Sequence, residues 1–104
     1  MFDAKTTLNQ LTQSNVGMSR LNIMVGAKNF VQSQEENFVS FKFIRIAENK
    51  SNYLKITLAA DDTYTVEFGY VRGMTYKVIK DYTGVYGENL KSLFESETKL
   101  YLSL

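Results

Sequence analysis

Between residues 53 and 82 apolar and polar side chains alternate with period two. Leu54, Ile56 and Leu58 oppose Tyr53, Lys55 and Thr57; Tyr64, Val66, Phe68 and Tyr70 oppose Thr63, Thr65, Glu67 and Gly69; Met74, Tyr76 and Val78 oppose Thr75, Lys77 and Ile79. Successive side chains of a strand point to opposite faces, so the pattern predicts three consecutive antiparallel strands with one buried and one wet face. A helix is excluded because no stripe at i, i+3, i+4 runs through Tyr64–Tyr70. Ala59-Ala60-Asp61-Asp62 is the expected first turn, since aspartate carboxylates bond nearby backbone amides. Arg72-Gly73 is the second, with Gly73 supplying the positive φ that a tight hairpin needs. In register, Lys55, Glu67 and Lys77 would make a charge ladder across the wet face.

The flanking patterns are shorter. Residues 1–4 are expected to fray. A helix is predicted over 6–13, capped by Thr6 or Thr7, with Gln10 completing a weak capping box and Leu8 and Leu11 on its apolar side. Gln13-Ser14-Asn15 breaks it. A second helix is predicted over 17–25, with Met18, Leu21 and Val25 in one core-facing stripe and Gly26 as the left-handed stop. Met18, Ile23 and Met24 could alternatively form a methionine-rich binding surface. Phe30-Val31 reads as a short strand, Gln32–Asn37 as a polar turn and 38–46 as a further strand. In the last, Val39, Phe41, Phe43 and Arg45 share one face, with Lys42, Ile44 and Ile46 on the other; apolar residues on both faces predict a central position or a second packing layer. Glu48–Asn52 forms a polar turn, and Thr83-Gly84 ends the last central strand. A helix over 87–96 has Glu88 in its first turn and Leu90, Leu93 and Phe94 on one face. The ending KLYLSL is expected as a short strand or an apolar tail docked on the core. The whole predicts one α+β domain over 1–104: a mainly antiparallel sheet of four to five strands, short N-terminal helices, and one C-terminal helix packed on one face.

Composition narrows the chemistry. With 44% hydrophobic and 22% charged residues the chain is an ordinary globular sequence, and seven Phe with seven Tyr predict a core of packed rings. The net charge of +1 lacks the strongly basic balance of most nucleic-acid binders. There is no Cys and no His, which excludes the Ser-His-Asp and Cys-His arrangements and a Cys/His zinc site. No metal and no cofactor are expected. Neither a signal-peptide pattern nor an apolar run of roughly 20 residues is visible, so a cytoplasmic, membrane-free protein is expected.

GAKNFV (26–31), NYLKITL (52–58), DTYTVEFGYVRGMTYKVI (62–79), GVY (84–86) and LYLSL (100–104) together resemble a family of small uncharacterised proteins of bacteriophages and other mobile elements. The resemblance covers nearly all of the chain from about residue 17. Its motifs mark glycine turns, aromatic core positions and hairpin ends, and it implies a phage or prophage accessory role without a mechanism.

Three groups of residues stand as candidate sites. Asp61-Asp62 and Glu35-Glu36 are adjacent carboxylates, read as turn chemistry because a metal needs further converging ligands. Lys42, Arg45, Lys55, Arg72, Lys77 and Lys80 lie on or beside predicted strands; converging around Tyr53 or Tyr76 they could hold a nucleic-acid backbone and stack its bases, though Glu67 interrupts them. Arg72 at a hairpin tip, with Tyr82 and Tyr86 around Gly84, is the candidate protein interface. Gly26-Ala27-Lys28-Asn29-Phe30 is not a phosphate loop, because it follows a helix and so sits at the negative end of its dipole. The leading expectation is a non-enzymatic accessory protein that binds another protein, its own copy or a host factor; the alternative is nucleic-acid binding through the basic strand residues.

Overall fold

The alternating stretch folds into three antiparallel strands, and two more precede them in the same sheet. The computed structural model describes residues 2–45 and 47–102; the strand position expected for Ile46 and the end of the chain expected for Ser103 and Leu104 lie outside them. In chain order the elements are α1 (Ala4–Thr12), α2 (Gly17–Val25), β1 (Lys28–Ser33), β2 (Phe38–Lys42), β3 (Tyr53–Leu58), β4 (Tyr64–Arg72), β5 (Thr75–Val85), a 3-10 helix (Gly87–Asn89) and α3 (Leu90–Thr98). The sheet is a meander, β1-β2-β3-β4-β5, with every pair antiparallel.

The predicted α+β architecture is therefore what forms, with five strands. All three helices lie on one face. Leu8, Leu11, Leu21, Val25, Leu90 and Phe94 pack in one buried cluster with Val39, Phe41, Leu54, Ile56, Val66 and Phe68 of the sheet. A chain of ring contacts crosses the whole sheet inside this cluster: Phe30–Phe41 (5.3 Å), Phe41–Phe43 (6.2 Å), Phe43–Phe94 (5.6 Å), Phe94–Phe68 (6.4 Å) and Phe68–Tyr82 (6.4 Å). Such pairs each add about 0.5–1.5 kcal/mol beyond their buried area. The other face is open and carries two cross-strand rows, Lys28-Lys42-Tyr53-Gly69 and Ser40-Lys55-Glu67-Asp81.

Local structure departs from the pattern in five places. Residues 2–4 do not fray (Met1 lies outside the described residues): Phe2 is buried, Asp3 caps α1 by accepting from Lys5 N (3.1 Å) and Thr6 Oγ1 (2.8 Å), and the helix starts at Ala4. Burial of Phe2 fixes the entry of the chain, so the aspartate, not a threonine, is placed to cap. β1 runs from Lys28 to Ser33, longer than Phe30-Val31, with a bulge where Asn29 takes φ 57°. β2 stops at Lys42. Beyond it Phe43 N still bonds Asn52 O, while Ile44 N and Arg45 N turn away to Val25 O. At the other end β5 passes through Thr83-Gly84, because Gly84 (φ 66°) absorbs a register shift between the Tyr64 and Val66 pairings. Residues 99–102, by contrast, follow one of the two expected alternatives and dock as a tail without a strand: Leu102 is fully buried, and its N–H donates to Glu95 Oε2 at 2.8 Å.

The fifth departure concerns the charge ladder. Lys55 does oppose Glu67, but the next partner of Glu67 is Asp81, and Lys77 pairs with Tyr70. Phe68 pairs with Lys80 and Gly69 with Val78, so Ile79 is an extra residue in β5. One inserted residue moves every side chain beyond it to the opposite face. Tyr76 thereby swings onto the open face, where its ring covers Gly69, meets Tyr53 edge-on at 5.3 Å and donates its hydroxyl to Glu67.

Candidate functional site

The six candidate cations do not form one face. Lys42 and Lys55 lie on the open face, Lys42 opposite Tyr53 and Lys55 with its Nζ 4.4 Å over the Phe38 ring. Lys80 lies on the other side, opposite Phe68, and the bulge at Ile79 turns Lys77 to that same side, opposite Tyr70; Lys80 Nζ lies 5.6 Å over Tyr82. Arg72 ends β4 at the hairpin tip, and Arg45 belongs to the connection between β2 and β3. Nor do Arg72, Tyr82 and Tyr86 make one patch: the eleven residues of β5 separate Arg72 from Tyr86. Tyr86 is exposed, whereas Tyr82 is half-buried on the core side of β5.

Tyr82 is held by the core. Its hydroxyl donates to Glu97 of α3 at 2.6 Å, and that bond, with burial, pushes its pKa up to about 12. A tyrosine in the unfolded chain ionises near 10. The raised value means that the contact stabilises fully below about pH 10 and is lost as pH climbs from there through the folded value. In urea titrations, the stability gap between wild type and Tyr82→Phe should be flat up to about pH 9 and should shrink above about pH 10. A gap that stays constant through that upper range would contradict the assignment.

The carboxylates behave as turn and cap groups. The Thr63 hydroxyl (2.6 Å) and amide (3.1 Å) donate to Asp61 and hold its pKa below the usual range; the Thr6 hydroxyl does the same for Asp3. On the open face, burial and the bond to Glu67 raise the Tyr76 pKa. Among the described residues no three carboxylates gather as metal ligands.

What the fold does build, among the described residues, includes two grooves that both take in residues of β1. The first, about 540 Å³, runs between β1 and the pair α1–α2. Leu8 and Val39 are buried at its base, and Val16, Met18, Phe30 and Val31 line its sides. Val16, Met18 and Val31 are 57%, 54% and 53% exposed, so its apolar wall faces water. Met18 is thus not in the core stripe; Leu21 and Val25 fill that role. Lys5 is the one charged residue in the lining. Gly17 permits the close approach of α2 to α1: a Cβ there would stand 2.5 Å from Leu8 O and 2.8 Å from Asn9 N. Its amide donates to Asn9 Oδ1 at 2.9 Å.

The strand beside this groove is a sheet edge. β5, the opposite edge, presents Lys77, Lys80 and Asp81 and is interrupted by its bulge. Charges and bulges blunt an edge against further pairing. In β1 the bulge falls near the start, and Val31-Gln32-Ser33 after it are uncharged and pair only with β2.

The second groove, about 390 Å³, lies where β2 runs into the β2–β3 connection. Lys28, Lys42, Arg45 and Lys50 line it with Tyr70 and Asn52, and no carboxylate does. Asn52 is engaged: its side chain donates to Val71 O (2.9 Å) and accepts from Val71 N (2.8 Å), holding the β4–β5 hairpin beyond the end of β3. Of these cations sequence reading found Lys42 and Arg45 but not Lys28 and Lys50, whose placement depends on the β1–β2 register and on a ten-residue connection.

An α+β meander with helices on one face, two open grooves and one unguarded edge is the class of protein that fold and surface define. Comparison of the chain with protein-family models, with curated proteins and with solved structures finds no match.

Proposed function

We propose that this protein is a non-enzymatic binding module, an accessory protein of a phage or mobile element, that takes an extended apolar segment of a partner protein into the groove between β1 and α1–α2. The observation that carries the reading is the pairing of an exposed apolar groove with an uncharged, free strand edge. An extended segment added to Val31–Ser33 gains main-chain hydrogen bonds from the edge, while its alternate side chains enter the groove. Lys5 at the groove favours a segment carrying an acidic residue. The chain's own most protruding apolar feature, Met74 at the hairpin tip, sits beside Arg72, which would bring a second cation to Lys5. Charge thus favours a different chain over a second copy.

Selection from a random peptide display library tests this. Enriched peptides should alternate apolar residues and carry an acidic one. They should bind Met18→Glu at least about tenfold more weakly, because that exposed substitution places an unpaired carboxylate against an apolar ligand. Failure to enrich any sequence, equal binding to Met18→Glu, or a dimer forming through this groove as concentration rises would each overturn the proposal.

A further inference from the structure

We propose that the second groove binds the phosphodiester backbone of single-stranded nucleic acid, with Lys28, Lys42, Arg45 and Lys50 taking phosphates and Tyr70 stacking on a base. This site is distinct from the apolar groove and uses a different set of cations from the strand face read in the sequence.

Three observations converge on it. Lys28 and Lys42 are direct cross-strand partners. Like charges directly opposite each other destabilise a sheet, and no carboxylate stands in the groove lining to offset the pair. Lys50 holds a left-handed backbone (φ 70°), a conformation that glycine or asparagine adopts at lower cost. Two local rules are therefore broken in one groove, both in favour of positive charge, and such breaks mark functional positions. The lining contains four cations and no acid; Glu48, on the same connection, is outside it.

The choice of a single strand follows from one ring. Tyr70 lines the groove with 39% of its surface exposed. Tyr53, opposite Lys42 on the open face, is not part of this lining. Base faces reach such rings only when they are unpaired, and aromatic stacking beside a cationic track is the general mode of sequence-tolerant single-strand binding.

The test is fluorescence anisotropy of a labelled oligothymidylate across a salt series, with duplex of matched length and inorganic pyrophosphate as competitors. Four neutralised phosphates predict a log–log salt slope of about −3, from roughly 0.7 per phosphate on a single strand. Lys28→Ala with Lys50→Ala should flatten the slope by about 1.4. These variants should be at least as stable as wild type, since Lys28→Ala relieves the repulsion from Lys42. Tyr70→Ala should weaken binding about fivefold or more, while Lys77→Ala with Lys80→Ala should leave it unchanged. Absence of binding at low salt, an unchanged slope in the Lys28/Lys50 variant, duplex competing as well as single strand, or pyrophosphate displacing the oligomer at equal concentration would each overturn the proposal. Met18→Glu leaves this groove intact, so the two sites are separable by mutation.

Discussion

Phe68→Ala is expected to cost about 3–5 kcal/mol of folding stability, the usual loss for a fully buried phenylalanine. Phe68 is completely buried on β4, stacked on Phe94 of α3 and edge-on to Tyr82 of β5. Truncation removes the link between the C-terminal helix and the sheet and leaves a cavity among rings too rigid to close it. Domains of this size are stable by about 5–15 kcal/mol, so most of the margin would go. Urea unfolding should show a much lower midpoint with an unchanged slope. A loss below about 1 kcal/mol would mean that the ring chain through Phe94 is not what joins the layers.

Gly17→Ala is expected to destabilise by about 1–3 kcal/mol or more, although alanine is ordinarily the better helix former. The new methyl would meet Leu8 O, Leu8 C and Asn9 N at 2.5, 2.6 and 2.8 Å. All three are backbone atoms of α1, so no side chain can rotate away, and α2 must move off as a body. The melting temperature should fall by roughly 5–20 °C, given about 4–8 °C per kcal/mol for a domain near this size. Peptide affinity should fall with it, because α1, α2 and Gly17 form one wall of the apolar groove. A neutral or stabilising effect would show that the two helices are not held in close contact.

The legible and illegible parts of this chain divide along physical lines. Leu54, Ile56, Val66 and Phe68 are core residues in both the pattern and the structure, because period two needs only local sequence and short turns to be read. The turn at Asp61-Asp62, the Gly73 hairpin and the Gly26 helix stop were equally visible, since each depends on one residue's backbone preference. What stayed hidden depends on one extra residue or on distant partners. Nothing in KVIKDY marks Ile79 as the bulge, yet it decides that Lys77 leaves the open face and Tyr76 joins it. The Lys28–Lys42 pairing requires the register across β1 and β2, which the Asn29 bulge shifts. The apolar groove is visible in no single segment: Met18 looks like a core residue until α2 is seen to turn Leu21 and Val25 inward instead. Likewise, a glycine opening a helix reads as a weak start; only the nearness of the α1 backbone explains it.

The most direct test of the central claim is amide NMR of the labelled protein titrated with a peptide taken from the display selection. The account predicts shift changes at Val31, Gln32 and Ser33 and at Val16–Ser19, with new exchange protection of edge amides on β1 and little change along β5. Shifts centred on the β5 edge or on the open sheet face, with β1 and the start of α2 unmoved, would contradict it.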